Sequence, residues 1–196
     1  MARGPSKGQI GDWGLRLTGG TGKGAKLFSV PGLDVRPALA RMRISVFEIL
    51  KPRLDGARVL DLFAGTGSLG LEALSRGAAH GVFLDVDERC IETLEKNVAK
   101  LKFGSRAELM PGSAFDAARL VGDRRFSLVF VDPPYRMYDE RGMDLEKAVR
   151  DLALDRGALV LVEHRSTQVL ADSWGGGKRV DQRVYGGTTV SFYEIA

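Results

Sequence analysis

Four residues, Asp132-Pro133-Pro134-Tyr135, follow directly on the apolar run SerLeuValPheVal (127–131) and carry the groups needed for chemistry on an amine. The exocyclic amine of a planar base is a poor nucleophile because its lone pair is delocalised into the ring. Asp132 and the carbonyl of Pro133 can accept its two N–H hydrogens and favour the pyramidal, reactive form, while the prolines fix the backbone and Tyr135 stacks on the base. That stacking requires an unpaired or flipped-out nucleotide. The set suits methylation of a base amine, with Asp132 both hydrogen-bond and proton acceptor. The bland alternative is a turn-capping Asp-Pro-Pro beside a core tyrosine.

A second group lies upstream. Val59, Leu60, Leu62 and Phe63 form an apolar strand that runs into Gly65, Thr66 and Gly67; a helix follows from Leu69 to Arg76, and the strand Val82 to Leu84 ends on Asp85. This is a nucleotide-binding β-α-β pattern, and Gly65, Gly67 and Gly70 fit G-x-G-x-x-G, a weak match by itself. Asp61 would repel a pyrophosphate but can hold an ammonium or amino-acid group. Asp85, 20 residues after Gly65, suits a ribose diol. The string Asp61-Leu62-Phe63-Ala64-Gly65-Thr66-Gly67 is similar to the first motif of S-adenosylmethionine-dependent methyltransferases, so that cofactor is expected rather than NAD.

The elements that must position these groups can be read in order. Residues 1–12 are aperiodic and expected to be frayed. Trp13, Leu15 and Leu17, the turn 19–24 and the strand 26–30 suggest a β-hairpin carrying Arg16, Lys23 and Lys26. A proline-punctuated link leads to a helix over 38–51, whose apolar stripe leaves Arg41 and Arg43 off the packed face. Beyond the β-α-β unit come a helix over 87–101, a short strand at 107–110, a short helix at 113–120, the buried strand 127–131, a helix over 145–154 and the strand 158–163. Residues 178–195 alternate with period two around Gly186-Gly187, as in an antiparallel edge hairpin. Ser113 after the third strand reads either as an adenine contact or as a plain helix N-cap. His164 and His80 are weaker candidates, and no metal-ligand spacing is present.

Composition narrows the classes. No apolar run reaches the roughly 20 residues that span a bilayer, and no signal-peptide core is visible, so a cytoplasmic protein without membrane contact is expected. The single Cys90 excludes an internal disulfide. Residues 1–53 hold ten Lys/Arg against three Asp/Glu, leaving 19 against 22 in residues 54–196. The basic excess is therefore N-terminal, either a solvated tail or a patch that neutralises phosphates. The expected division is a basic, RNA-binding extension over 1–53 and a catalytic domain over 54–196. No dimer signal is visible, so a monomer is expected.

The chain resembles the RsmD-type methyltransferases over about residues 14–195. The resemblance rests on Arg36-Pro37 followed by Arg41-Met42-Arg43 and a helix, on the block 59–78, on Asp132-Pro133-Pro134-Tyr135, and on ArgValTyrGly (183–186) with SerPheTyr (191–193). It implies transfer of methyl from S-adenosylmethionine to the N2 amine of a guanine in 16S rRNA, free or within the small subunit. The implied fold is α/β: a mostly parallel, seven-stranded Rossmann-like sheet with helices on both faces, a small N-terminal β-hairpin and an antiparallel C-terminal hairpin. The implied cofactor contacts are Asp61, Gly65, Gly67, Asp85, Ser113 and Ala114, with Phe63, Thr66 and Val86 beside them. Residues 132–135 would contact the base, and Arg16, Lys23, Lys26, Arg36, Arg41 and Arg43 the RNA. The chain departs from the family pattern at Ala38, Ala40, Ile44 and Gly187. An adenine N6 methyltransferase and a non-catalytic RNA-binding assembly factor are the alternative readings.

Overall fold

The computed structural model describes residues 15–30 and 37–196, with side chains for 15–30 and 41–196. Trp13, the link 31–36 with Arg36, and the side chains of Ala38 and Ala40 lie outside the described residues. Strands β1 (Arg58–Asp61), β2 (His80–Asp85), β3 (Ala107–Pro111), β4 (Phe126–Val131) and β5 (Leu154–Arg165) pair in parallel in the order 3-2-1-4-5. The chain then reverses. β6 (Ser173–Trp174), β7 (Gly177–Tyr185) and β8 (Thr188–Ile195) add antiparallel strands, β8 slotting between β5 and β7. The sheet thus has the seven expected strands plus the two-residue β6 at its edge.

Alternation along the strands feeds two cores. Val59, Leu128, Phe130 and Leu161 face helices α1 (Pro37–Leu50), α2 (Ser68–Ser75) and α3 (Glu88–Leu101). Leu60, Leu62, Val129 and Val160 face α4 (Ala117–Val121) and α5 (Arg136–Arg150). A parallel sheet with both faces covered accounts for the near-continuous apolar runs of its central strands. Among the described residues no helix is long and apolar enough to cross a membrane.

Three elements differ from expectation. α5 begins at Arg136 rather than 145, because its first half is polar and lacks an apolar stripe; it is anchored by buried Tyr138 and changes direction at Arg141, whose φ/ψ are non-helical. Among the described residues the N-terminal hairpin contains a single β-bridge, Arg16 to Lys26. Further backbone bonds close it, Leu17 N–H to Ala25 O and Leu27 N–H to Leu15 O, and helix side chains dock it: Glu72 accepts the Thr18 N–H at 2.7 Å, and Asn97 accepts the Phe28 N–H at 2.7 Å. Arg43 does not stay free of the packed face of α1 but is buried, 5% exposed, with Nη2 donating to Arg16 O at 2.7 Å and Nε 3.9 Å from Glu72.

Candidate active site

β1 ends on Asp61 and β2 on Asp85, and β4 runs straight into Asp132, so the carboxyl ends of neighbouring parallel strands set three acids along one edge. This is the edge at which open α/β sheets bind ligands. Asp61 is 1% exposed; Oδ2 accepts the Gly70 N–H at 3.1 Å, whereas Oδ1 has no hydrogen-bond partner. Burial pushes its pKa up to about 7, with Asp132 and Asp85 adding to the rise and the Gly70 N–H opposing it. A buried carboxylate oxygen without a donor is costly, and a cationic group delivered to it removes that cost.

The turn after β1 needs its glycines. Gly65 (φ +53°) and Gly67 (φ +87°) are left-handed, and a Cβ on Gly70 would lie 2.2 Å from the Phe83 ring, which fixes how closely α2 lies on β2. A Cβ on Gly65 would meet nothing within 4 Å, so the backbone there is open. Asp85 accepts the Gly65 N–H at 2.7 Å through Oδ2 and the Asp87 N–H at 2.9 Å through Oδ1, and each oxygen keeps a lone pair for a further donor. Val86 is 72% exposed beside it. The Gly112 N–H donates to Asp85 O at 2.9 Å and draws the Ser113 loop alongside. Ser113 Oγ accepts the Phe115 N–H at 3.2 Å as a helix cap and Ala114 is buried, so this loop has chiefly backbone to offer a ligand. Phe63 is half-buried, Thr66 is buried, and the Thr66 carbonyl accepts from Asn97 Nδ2 at 2.9 Å.

These groups fit S-adenosylmethionine. Asp61 offers an unpaired buried oxygen to an ammonium, the Gly65 backbone is uncovered, Asp85 can take a diol, and exposed Val86 can pack on an adenine face.

The Asp132 carboxyl is raised to about pH 6 by burial. Pro133 is buried and Pro134 exposed. The Tyr135 hydroxyl hydrogen-bonds Thr188 Oγ1 at 2.6 Å, and the Arg165 guanidinium lies 5.4 Å from the Tyr135 ring centroid. A narrow cleft beside Asp132 is lined by Met42, Arg43, Leu69, Leu161, Glu163 and Val190, which come from α1, α2, β5 and β8. His164 is turned into the protein: Nε2 pairs with Ser191 Oγ at 2.9 Å, Nδ1 with Arg165 O at 3.0 Å, and burial lowers its pKa. His80 opens β2 at the opposite edge of the sheet, 3.8 Å from Glu108.

The basic residues divide. Arg16, Lys23 and Arg41 are exposed, and Arg16 donates to Gly24 O at 2.8 Å; Lys26 is partly buried in the bridge; Arg43 is structural as described above. Sequence reading missed the two residues that dock the N-terminal segment. Glu72, fully buried, accepts from Thr18 N and Oγ1 and from Arg76 Nε, each at 2.7 Å. Asn97, also fully buried, binds both backbone groups of Phe28 as well as the Thr66 carbonyl. Their signal was a polar residue on an otherwise packed helix face, which a sequence cannot distinguish from a solvated one.

A profile for the family described as conserved hypothetical protein 95 matches residues 15–194. The ribosomal RNA small subunit methyltransferase D of Escherichia coli K12 is 38% identical over 154 residues, 76% of this chain and 74% of that protein. YlbH of Bacillus subtilis, provisionally named an rRNA methyltransferase, is 32% identical over 182 residues, 92% of this chain and 98% of YlbH. The solved structure of yhhF from Escherichia coli, provisionally named a methyltransferase, superposes with a TM-score of 0.79 at 31% identity, covering 92% of this chain and 97% of that one. With its strand order, acidic sheet edge and Asp-Pro-Pro-Tyr turn, the chain belongs to the conserved hypothetical protein 95 family and is an RsmD-type methyltransferase.

Proposed function

We propose that this protein transfers a methyl group from S-adenosylmethionine to the exocyclic N2 amine of a guanine in 16S rRNA. The observation that carries this reading is the placement of Asp132-Pro133-Pro134-Tyr135 on the same sheet edge as Asp61, near enough for the two carboxylates to interact. The names of the Escherichia coli and Bacillus subtilis relatives support rRNA as the substrate.

When bound, the cofactor supplies an electrophilic methyl carbon on a sulfonium. Asp61 would hold the amino-acid ammonium, the Gly65–Gly67 backbone would leave room for the chain, and Asp85 would take the ribose hydroxyls. On the substrate side Tyr135, fixed through Thr188, offers a stacking face for the base. Asp132 Oδ and the Pro133 carbonyl would accept the two amine hydrogens, and Asp132 would take the proton released as the methyl's bond to nitrogen forms and its bond to sulfur breaks, the electron pair of that bond staying on sulfur. Exposed Arg16, Lys23 and Arg41 supply cations for RNA phosphates, as does Arg36. Such a protein works in the cytoplasm on rRNA or a small-subunit particle.

The test is mass spectrometry of nucleosides after incubation with labelled cofactor and 16S rRNA, free and in small subunits. Labelled N2-methylguanosine at one position is expected. Labelled N6-methyladenosine would instead select the adenine reading, since the same turn serves that amine. Absence of label together with absence of calorimetric cofactor binding would leave an RNA-binding assembly factor.

A further inference from the structure

Arg165 is the last residue of β5 and pairs directly across the ladder with Thr188, the first residue of β8. Thr188 in turn holds the Tyr135 hydroxyl at 2.6 Å, and the Arg165 guanidinium lies 5.4 Å from the centre of the Tyr135 ring. Three residues distant in sequence are thus fixed on two adjoining strands and a turn at the mouth of the site. Arg165 is half-exposed, and its ion partner Asp139 Oδ2 sits 3.5 Å away on a side chain that is 66% exposed. An exposed pair at that distance contributes little and yields readily to a better anion.

We infer that Arg165 anchors a phosphodiester of the nucleotide whose base stacks on Tyr135. The inference rests on the proposed RNA substrate and adds to it a residue outside the basic N-terminal segment. For a base lying on the free face of Tyr135 with its amine at Asp132, Arg165 is a half-exposed cation beside that ring, close enough to meet the nucleotide's own phosphate. A guanidinium is suited to both tasks: its plane packs on an aromatic face while its edge grips phosphate in a bidentate manner. In the free protein Asp139 occupies that edge and is displaced by the phosphate.

The experiment measures binding of an RNA fragment carrying the modified guanine against KCl concentration, for wild type, Arg165→Ala, Arg165→Lys and Asp139→Asn. Cofactor affinity and thermal stability are measured in parallel. Arg165→Ala should weaken RNA binding about tenfold and reduce the salt slope by roughly 0.7–0.9, with cofactor affinity and melting temperature unchanged. Arg165→Lys should restore the slope but only part of the affinity. Asp139→Asn should tighten binding by removing the competing carboxylate. An unaltered salt slope in Arg165→Ala, or an Asp139→Asn variant that weakens RNA binding as much as Arg165→Ala, overturns the inference while leaving the proposed reaction intact. A wild type that neither binds nor methylates the RNA overturns the proposed reaction and this inference with it.

Discussion

Replacing Asp61 by Asn separates the electrostatic cost of the site from its geometry. The carboxyl is fully buried, receives one hydrogen bond and titrates near pH 7 instead of the usual 3.8. Below pH 3.8 both folded and unfolded chains carry the proton and there is no penalty. Between 3.8 and about 7 the folded chain keeps a proton that the unfolded chain releases, so stability falls as pH rises; above 7 the loss is complete. At about 1.4 kcal/mol per unit the shift corresponds to roughly 4 kcal/mol, an upper figure because a real site relaxes around the charge. Asn preserves the acceptor for Gly70 N–H and carries no charge, so its stability has no such slope. The variant without cofactor should exceed wild type by about 1 kcal/mol or less at pH 4.5 and by about 2–4 kcal/mol at pH 8, the latter a rise of roughly 4–16 °C in melting temperature for a chain of this size. Its cofactor affinity should collapse, since the ammonium loses its carboxylate. Thermal melts across pH 4.5–8.5 with calorimetry at each end measure both. A variant that melts lower than wild type by the same margin at every pH would show that Asp61 is an ordinary structural acid and would refute the reasoning.

The remaining predictions concern the neighbouring groups. Asp132→Ala should abolish methyl transfer in a single-turnover assay while leaving calorimetric cofactor affinity nearly unchanged; a large loss of affinity would show that its role is misassigned. Gly70→Ala drives a Cβ to 2.2 Å from the Phe83 ring and should lower stability by about 1–3 kcal/mol in urea unfolding, with an unchanged midpoint counting against the close approach of α2 and β2. Arg41→Glu should weaken RNA binding and flatten its salt dependence, whereas Arg43→Ala should reduce stability by about 1–3 kcal/mol by removing the hydrogen bond to Arg16 O and one of the cations beside buried Glu72. Similar effects of the two on salt slope would contradict their different burial. Asn97→Ala leaves the Phe28 N–H and the Thr66 carbonyl without their partner, so it should lower stability by about 2 kcal/mol and also weaken cofactor binding; an unchanged affinity would detach Asn97 from the glycine turn.

What was legible in the sequence was legible for physical reasons. The central strands had to be apolar on both faces, and the turn had to use glycine because Gly65 and Gly67 are left-handed and α2 lies against Phe83 at Gly70. These constraints act through residue type and spacing, so they can be read without coordinates. The first half of α5 carried no such constraint. Its helix is held by the Tyr138 hydroxyl reaching Glu163 O at 2.8 Å on a strand 25 residues away, and its polar surface is indistinguishable in sequence from a loop. Arg43 failed for a related reason: helical periodicity puts it off the apolar stripe, and only the arrival of Glu72 and the Arg16 carbonyl makes that side of the helix interior.

The same distinction bears on how the two ends of the chain serve one site. Glu72 sits one turn into the helix that starts at the glycine turn, and Asn97 holds that turn by the Thr66 carbonyl; both use their remaining hydrogen bonds on the N-terminal segment. From the other end, the Tyr185 hydroxyl donates to Ser45 on α1 at 2.8 Å and Thr188 holds Tyr135. The residues proposed to meet RNA are thereby tied through buried polar contacts to those proposed to hold the cofactor and the base. Asn97 and Thr188 lie outside the motif stretches, yet each hydrogen-bonds a motif residue, Thr66 and Tyr135. Departures at Ile44, next to Ser45, and at Gly187, next to Thr188, stand at two of these ties.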